Sequence, residues 1–540
     1  TRKAKERTNM KKIIELLNDE LKAAFSACGY DEKYAKVVVS NRPDLCQYQC
    51  NGCMAAAKEY KKAPAIIAGE VVEKLAESST FSKVEAVNPG FINMNLSGQF
   101  IADYVKEMGS HEKFGCDETK KNKTIMLDYG GANVAKPLHV GHLRPAIIGE
   151  SLKRICAYNG YDTVGDVHLG DWGLQMGLII MELKNRKPEL PYFDESFTGE
   201  YPAEAPFTLA ELEDIYPCAS RKSKEDAEFA EAAHQATVML QRGHRGYTAI
   251  WKHIMNISIA DLKRNYDNLN VSFDVWKGES DAKPYIEDML KSFVDKGYAY
   301  ESQGALVIDV AQADDKKEIP PCIVRKSDGA ALYATTDLAT MIEREKLYHP
   351  FKYIYTTDKR QEMHFTQIFR AAKKTGIVPR DTEMNFLGFG TMNGKDGKPF
   401  KTRNGDLLRL EYLIKDVEDA VYNKIKENRD VADDEARATA KVVGLAAIKY
   451  GDLSNQASKD YIFDIDRFTS FEGDTGPYVL YTIVRIKSIL NKYEQTYGAQ
   501  SLSVADRMKD FVAPEGASET DLCLLLTKFS EVIESAYAEL

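Results

Sequence analysis

Residues 123–173, KTIMLDYGGANVAKPLHVGHLRPAIIGESLKRICAYNGYDTVGDVHLGDWG, decide the fold. Ile125–Tyr129 is an apolar run of strand length, and the pair Gly130-Gly131 breaks it. Apolar residues then recur on one helical face between Leu143 and Cys156, and an Asn-Gly pair marks the end of that helix. Thr163–His168 is a second strand. The order strand, glycine-bearing loop, helix, strand predicts a βαβ unit of a parallel sheet.

The same alternation returns later in the chain. FKYIYTTDKRQ (351–361) predicts a strand, EMHFTQIFRAAKKTG (362–376) a helix ended by its glycine, and MNFLGFGTM (384–392) another strand. Together these segments predict an α/β fold, a Rossmann-like doubly wound parallel sheet with insertions at about 190–270 and 298–336.

Three domains follow from the patterns. Residues 1–115 combine helices with a turn at Asn88-Pro89-Gly90 between two short strands, which predicts a small α+β domain. Residues 116–407 form the doubly wound domain. From 408 to 540 the apolar spacing is helical, which predicts a separate all-α domain.

Composition sets limits on the function. The chain has 540 residues, a net charge of −10 and an N-terminus without the apolar core of a signal peptide. No apolar run reaches membrane-spanning length, so we expect a cytoplasmic protein with no membrane partner. The acidic balance argues against a nucleic-acid partner, but a local basic face can still bind one.

Nine scattered cysteines favour reduced thiols. Cys50-Asn-Gly-Cys53, with Cys46 nearby, leaves a zinc site open as an alternative to buried thiols.

His139 and His142 flank Gly141 at the start of the first helix of the βαβ unit. In a doubly wound sheet, ligands bind beyond the carboxyl ends of the strands, and a helix N-terminus favours an anion. Glycine lets a ligand approach the backbone, and imidazole N–H groups can stabilise phosphate oxygens. The pattern therefore indicates nucleotidyl transfer from ATP. Ordinary capping or surface histidines are the alternative.

With that context, the segment NVAKPLHVGHLR resembles the HIGH signature of class I aminoacyl-tRNA synthetases, and its surroundings resemble the arginyl-tRNA synthetase family. The matching segments are DYGGANVAKPLHVGHLRPAIIGESLKRI, GDWGLQMG, GALVIDV, VRKSDGAALYATTDLA, DKRQEMHFTQIF and FGTMNGKDGKPFKTRNGD. RPDLCQYQCNGCMAAAK and NPGFINMNLS resemble the appended N-terminal domain of that family, which contacts the tRNA elbow.

This resemblance implies that the protein activates L-arginine with ATP to arginyl-adenylate and transfers it to the 2′-hydroxyl of the terminal adenosine of tRNA(Arg). It implies that tRNA must be bound before activation, that Mg²⁺ accompanies ATP with no protein ligands identified, and that the protein is a monomer. No structural metal is implied. The segments after residue 408 resemble part of the family's anticodon-binding domain, which we expect to be incomplete at its C-terminus.

The resemblance also assigns roles to residues. His139 and His142 would hold the ATP phosphates, Gly141 would lie under adenine, and Lys136 would add positive charge. His142 would also contact the arginine. The other arginine-binding residues implied are Asp128, Gly131, Asn133, Tyr333, Asp337 and Gln367.

Within that set, Asn133 and Gln367 would orient the α-amino and carboxylate groups. Gly131 stands where relatives often have a small polar residue or proline, so a backbone contact would replace a side-chain contact.

The chemistry of the substrate supports part of that set independently. A guanidinium is a planar array of donors that a carboxylate can bind bidentately. Tyr333 and Asp337 are four residues apart, so they share one face if the segment is helical. The alternative for Asp337 is a helix cap or a solvated charge. For Asp128, at the end of a strand, a purely structural role is the alternative.

The second class I signature, the lysine-rich KMSKS loop, is degenerate here. Thr402 occupies its lysine position, between Lys401 and Arg403, and Lys398 precedes them. We expect this loop to close over the phosphates, with Lys136 compensating for the missing lysine. A surface hairpin is the alternative.

Two other functions stay open. A small-molecule nucleotidyltransferase also uses H-x-G-H on this fold, but it leaves the flanking domains without a role. A non-catalytic RNA-binding relative is the other alternative, but it gives no role to the intact residues that would bind phosphate and guanidinium groups.

Overall fold

The structure, a computed structural model, describes residues 10–116, 119–326, 332–400, 408–428, 430–498 and 504–540. The strands are β1 Val37–Val39, β2 Tyr48–Cys50, β3 Phe81–Val87, β4 Phe91–Leu96, β5 Thr124–Asp128, β6 Asp162–Asp166, β7 Tyr300–Ser302, β8 Ala305–Ile308, β9 Cys322–Arg325, β10 Lys352–Asp358, β11 Glu383–Phe389, β12 Met392–Asn393 and β13 Tyr461–Ile462.

The helices in the first half are α1 Ile13–Ala27, α2 Gly52–Tyr60, α3 Pro64–Leu75, α4 Gly98–Ser110, α5 Leu143–Tyr158, α6 Leu174–Arg186, α7 Leu209–Glu225, α8 Ala227–Gln241 and α9 Arg245–Asn268. Those in the second half are α10 Glu279–Asp295, α11 Tyr333–Tyr348, α12 Glu362–Thr375, α13 Leu410–Asn428, α14 Asp433–Leu453, α15 Ile465–Phe468, α16 Gly476–Tyr497, α17 Val504–Met508, α18 Ala517–Leu526 and α19 Phe529–Ala538. Short 3₁₀ turns cover Glu32–Tyr34, Val140–His142, Pro191–Phe193 and Lys359–Gln361.

The described residues divide into two compact units. The first contains the chain up to Lys121 together with Tyr158–Gly160 and Tyr493–Leu540, and the second contains Asn122–Ala157 and Tyr161–Lys492. This partition differs from the three predicted domains, because residues 408–492 group with the doubly wound region and the last helices group with the N-terminal residues. The three domain boundaries stay a prediction.

The first unit is built on an antiparallel sheet with strand order β1-β2-β4-β3. Helix α1 packs on its core because Leu17, Leu21 and Phe25 recur at a spacing of four residues and are fully buried. The turn predicted at Asn88-Pro89-Gly90 joins β3 to β4. Cys523 of α18 is buried in the same core.

Two cysteines of the possible zinc site, Cys50 and Cys53, lie in this core. Cys46, Cys50 and Cys53 are all buried. Burial raises the pKa of the Cys50 thiol, and it raises the pKa of the Cys53 thiol to about 12. Both thiols are therefore protonated at neutral pH, as expected for cysteines that pack as small apolar side chains.

The second unit contains the predicted parallel sheet, with strand order β11-β10-β5-β6 and every neighbouring pair parallel. Strand β5 pairs with β6 on one side and with β10 on the other, so the order reverses beside β5. The crevice at such a switch point is where ligands bind in doubly wound sheets. The parallel sheet with this strand order confirms the predicted fold class.

The two regions predicted as insertions differ in secondary structure. The region 190–270 is mostly the helices α7, α8 and α9, while the region 298–336 contains a small antiparallel sheet of order β7-β8-β9. No helix in the described part of the chain is long and apolar enough to span a membrane.

A buried ion pair anchors α5 to α14 within the second unit. The Nε of Arg144 donates to the Oδ1 of Asp452 at 2.9 Å, and its Nη1 donates to the carbonyl of Gly390 at 2.8 Å. Arg144 and Asp452 are each 1% exposed. Losing either partner would leave an unpaired buried charge, so this pair fixes the first turn of α5 strongly.

Candidate active site

A cavity of about 860 Å³ opens in the second unit at the carboxyl ends of β5 and β10. It brings together eight of the predicted site residues: Asp128, Gly131, Asn133, His139, Gly141, His142, Tyr333 and Asp337. Lys136, Lys398 and Gln367 are not among its lining residues. Lys401 and Arg403 lie outside the described residues.

The backbone fixes both imidazole rings at one end of the cavity. The N–H of Gly141 donates to the Nδ1 of His139 at 3.0 Å, and the N–H of His139 donates to the Nδ1 of His142 at 3.1 Å. A neutral imidazole whose Nδ1 accepts a hydrogen bond carries its proton on Nε2. Each ring therefore presents an Nε2–H donor, and the ring centroids are 4.0 Å apart.

Both histidines are neutral at physiological pH. Burial lowers the pKa of His139, and the nearby charge of Lys136 lowers it further. Burial, with a contribution from His139, lowers the pKa of His142 to about 3. The pair therefore stabilises an anion through hydrogen bonds and not through positive charge.

Two glycines make this arrangement possible. A Cβ on Gly141 would lie 2.8 Å from the Cε1 of His139, and a Cβ on Gly170 would lie 2.2 Å from the Oδ1 of Asn133. Any other residue at position 141 would displace the His139 ring, and any other residue at 170 would displace the Asn133 amide. The glycine between the histidines is thus required by the ring that folds over it.

Lys136 lies behind the histidines and does not line the cavity. Its Nζ is 4.5 Å from the centroid of the Tyr216 ring, a cation–π contact with helix α7. Its charge is nevertheless close enough to lower the pKa of His139.

The described residues that flank the predicted KMSKS-like loop contact each other and Val140. The N–H of Leu408 donates to the carbonyl of Phe400 at 3.3 Å, and the N–H of Val140 donates to the carbonyl of Leu408 at 3.0 Å. The described residues on either side of 401–407 therefore meet next to Val140, between His139 and Gly141. Lys398 is exposed in the preceding turn.

A carboxylate and a tyrosine occupy the other end of the cavity. Tyr333 begins helix α11 and Asp337 follows one turn later, which confirms that they share a helical segment. The Oδ2 of Asp337 is 2.6 Å from the Nε2 of His364 on α12. This bond fixes one carboxylate oxygen and leaves lone pairs available to a ligand.

Glu279 is a second acidic residue at this end that sequence reasoning missed. It lines the cavity at the start of α10, where its N–H donates to the carbonyl of Leu169 at 3.0 Å. Burial raises the pKa of Glu279 to about 7, and the neighbouring Asp171 and Asp337 add to this. The only sequence signal for Glu279 is its position at the start of a helix, in Gly-Glu-Ser. No local pattern predicts the hydrogen bond to residue 169 that brings it to the cavity.

Asp128 lines the cavity, but its carboxylate already has a partner. The Nη2 of Arg344 donates to the Oδ2 of Asp128 and to the Oδ2 of Asp166, each at 2.6 Å. Burial raises the pKa of Asp128, although Arg344 opposes that effect. With His168, these two carboxylates form a cluster of possible metal ligands among the described residues, and the Arg344 guanidinium already binds both of them.

The structure does not bring Gln367 to the cavity. Its Nε2 donates to the carbonyls of Pro320 and Pro321, at 2.8 and 3.2 Å. The glutamine that lines the cavity is Gln361, in the 3₁₀ turn after β10. The two glutamines differ in position: Gln361 precedes the first turn of α12, whereas Gln367 lies within that helix.

Comparisons with known proteins identify the family of the chain. The family model described as "tRNA synthetases class I (R), catalytic domain" matches residues 105–465, and "Arginyl tRNA synthetase N terminal domain" matches residues 11–96. A relative from Agathobacter rectalis named "Arginine--tRNA ligase" is 60% identical over 538 residues, which is 98% of this chain and 89% of the relative. One of the same name from Alkaliphilus oremlandii is 55% identical, with the same two coverages.

Solved structures show the same fold. Arginyl-tRNA synthetase from Plasmodium falciparum superposes with a TM-score of 0.76 at 24% identity, covering 98% of this chain and 89% of that one. The Thermus thermophilus arginyl-tRNA synthetase gives 0.72 at 21% identity, covering 98% and 88%. With two family models and full-length relatives in agreement, the chain belongs to the arginyl-tRNA synthetase family.

Proposed function

We propose that this arginine–tRNA ligase activates L-arginine with ATP to arginyl-adenylate inside the described cavity, and then transfers the arginyl group to the 2′-hydroxyl of the terminal adenosine of tRNA(Arg). The observation that carries the proposal is the polarity of the cavity. The lining combines two imidazole N–H donors, which suit a phosphate, with the carboxylates of Asp337 and Glu279, which suit a guanidinium.

In the first step, a carboxylate oxygen of arginine attacks the α-phosphorus of ATP. The bond from the α-phosphorus to the bridging oxygen breaks, and pyrophosphate leaves with that electron pair. Negative charge grows on the phosphate oxygens, and the Nε2–H groups of His139 and His142 donate to them. One preorganised donor of this kind contributes about 3 kcal/mol to the transition state. Gly141 leaves room for the adenine beside the backbone.

At the other end, Asp337 and Glu279 bind the guanidinium. A carboxylate binds a guanidinium through two parallel hydrogen bonds, which a single ammonium group cannot reproduce. Tyr333 lies one turn before Asp337 and offers its ring as a wall. Asn133 and Gln361 bind the α-amino and carboxylate groups, with Gln361 replacing the predicted Gln367. Gly131 contributes a backbone contact.

Positive charge for the phosphates comes from the loop and from Lys136. Lys398 is exposed in the turn before Phe400, and Lys401 and Arg403 follow it outside the described residues; we expect these three cations to act on the phosphates. Lys136 contacts the Tyr216 ring, and its charge already lowers the pKa of His139. We expect its side chain to leave that ring and to approach the phosphates when ATP binds.

Mg²⁺ enters with ATP. The described residues offer one cluster of possible ligands, Asp128, Asp166 and His168, and the Arg344 guanidinium lies between its two carboxylates. This cluster does not fit a resident Mg²⁺, so no step depends on a protein-bound metal. The ion instead takes phosphate oxygens and water as ligands, which it commonly does.

We further propose that tRNA must bind before arginine is activated, and that the protein is a cytoplasmic monomer. The test is ATP–pyrophosphate exchange with arginine, with and without cognate tRNA. Exchange only in the presence of tRNA supports both the activity and its gating. Exchange without tRNA keeps the activity and rejects the gating. No exchange under either condition rejects the proposed activity for this chain.

A further inference from the structure

One arginine of the chain lies beneath the cavity. Arg344 is 2% exposed and follows Asp337 by seven residues, two turns along the same face of α11. Its Nη2 donates to Asp128 and Asp166, and its Nη1 donates to the hydroxyl of Tyr355 at 3.0 Å. Asp128 and Tyr355 both line the cavity. A buried guanidinium of the chain itself therefore binds two side chains that line the cavity.

The position of its two carboxylates explains why a cation is needed there. Asp128 and Asp166 are register partners at the ends of the neighbouring parallel strands β5 and β6. Two buried carboxylates side by side repel each other, and a cation between them offsets the repulsion. The His168 ring is within 4.8 Å of both, so the same donors would suit an external cation if Arg344 were absent.

The choice of cation matters because of the neighbouring ligand. A free Asp128 would be a third carboxylate in a cavity that already has Asp337 and Glu279, and it would compete for a cationic side chain. We propose, on the basis of the function proposed above, that Arg344 is a specificity-determining positioning residue. By occupying Asp128 and Asp166, it leaves Asp337 and Glu279 as the carboxylates that bind the substrate guanidinium.

A purely structural ion pair and a specificity-determining one have different consequences. Loss of a structural pair lowers the melting temperature and reduces the use of all substrates together. Loss of Arg344 in its proposed role exposes Asp128 to the cavity, where a guanidinium or an ammonium group can bind in an unproductive position. Because arginine bound in an unproductive position does not react, kcat and the KM for arginine fall together while the KM for ATP is maintained, and exchange with lysine increases relative to exchange with arginine.

The experiment compares three full-length variants in ATP–pyrophosphate exchange with saturating tRNA. For Arg344→Met, we expect kcat and the KM for arginine to fall together by about tenfold or more, because the freed Asp128 carboxylate holds much of the bound arginine in an unproductive position. The KM for ATP should stay within about twofold of the original value. The control is Arg370→Met, which breaks the bidentate Arg370–Asp315 ion pair away from the cavity. This control should leave the arginine-to-lysine preference unchanged.

The third variant keeps the test decisive if Arg344→Met fails to fold. Arg344→Met combined with Asp128→Asn and Asp166→Asn removes the cation together with the charges it neutralises, a replacement that buried ion clusters often tolerate. We expect it to fold, to have a kcat and an arginine KM within about twofold of those of the unmodified chain, and to prefer arginine over lysine as the unmodified chain does.

The proposal is overturned if the single variant folds and leaves the KM for arginine unchanged. It is also overturned if the triple variant folds but its kcat, its KM for arginine and its preference for arginine over lysine differ strongly from those of the unmodified chain, since Arg344 would then act by itself and not through the carboxylates. Absence of arginine-dependent exchange in the unmodified chain would instead reject the proposed function.

Discussion

The two ends of the cavity are held in place by different means. At the phosphate end, backbone N–H groups within four residues orient His139 and His142. At the arginine end, ion pairs and hydrogen bonds between side chains from distant segments orient Asp337 and Asp128. A site built locally keeps its geometry when its neighbours change, whereas a site built from distant charges depends on each partner. We therefore expect damage at the first end to lower kcat and damage at the second to raise the KM for arginine.

The largest effect should come from the phosphate end. His142→Ala removes an Nε2–H donor that acts on charge growing in the transition state, so kcat for exchange should fall by about 100- to 1,000-fold. The KM for arginine should change far less. The matched control is His234→Ala, an exposed histidine on α8. An arginine KM that rises as much as kcat falls would contradict the division between the two ends.

At the arginine end, Asp337→Asn should raise the KM for arginine by about 30- to 100-fold, because a charged and bidentate partner is replaced by a neutral one. The KM for ATP should hold. Asp288→Asn on the exposed face of α10 is the control and should change neither. Steady-state exchange kinetics distinguish the two constants. An unchanged arginine KM in the Asp337 variant would remove this residue from the site.

Glu279 predicts a pH dependence for arginine binding. Its pKa is raised to about 7 without ligand, and a bound guanidinium favours the charged form, which lowers that pKa. Arginine binding therefore releases a proton from Glu279 below pH 7. The affinity should weaken as the pH falls below 7, by at most about tenfold per pH unit.

Calorimetric titrations in buffers of different ionisation enthalpy measure that proton release directly. Glu279→Gln should abolish it and flatten the pH dependence between 6 and 7, in addition to weakening binding at pH 8. A pH dependence that persists in this variant would assign the proton to another group.

The smallest effect should come from His364, which contacts Asp337 and not the substrate. His364→Ala frees one carboxylate oxygen, so the KM for arginine should rise by about three- to tenfold, as expected for one hydrogen bond to a charged group. His364→Gln keeps an N–H donor and should recover most of that loss. If the two variants behave alike, the bond between residues 364 and 337 has no role in orienting the carboxylate.

The sequence predicted the elements that are encoded locally. The strand ending at Asp128, the helix from Leu143 and the helical spacing of Tyr333 and Asp337 all follow from apolar periodicity or from motifs within a short window. The class I motif also predicted that His139, Gly141 and His142 lie together, because their geometry is contained within residues 139–142, and their role toward the phosphates stays a prediction.

The arginine end could be predicted only in part. Glu279 reaches the cavity through pairing between residues 169 and 277–279, and no local pattern encodes that pairing. Arg344 sits in an ordinary helical sequence, and its role depends on two strand ends that are more than 170 residues away. Gln361 precedes α12 and Gln367 lies within it, and the sequence motif alone does not show which of the two glutamines reaches the cavity. The residues that were missed are those whose partners are distant in sequence.

The orientation of the two imidazole rings has one further consequence, for proton traffic during turnover. Both Nδ1 atoms accept a hydrogen bond from the backbone, so each ring presents only its Nε2–H to the reaction. Neither ring can pass a proton from one nitrogen to the other. Adenylate formation needs no proton transfer, because the attacking group is a carboxylate and the leaving group is an anion. A site made of two such rings therefore begins and ends adenylate formation in the same protonation state, without exchanging protons with solvent in that step.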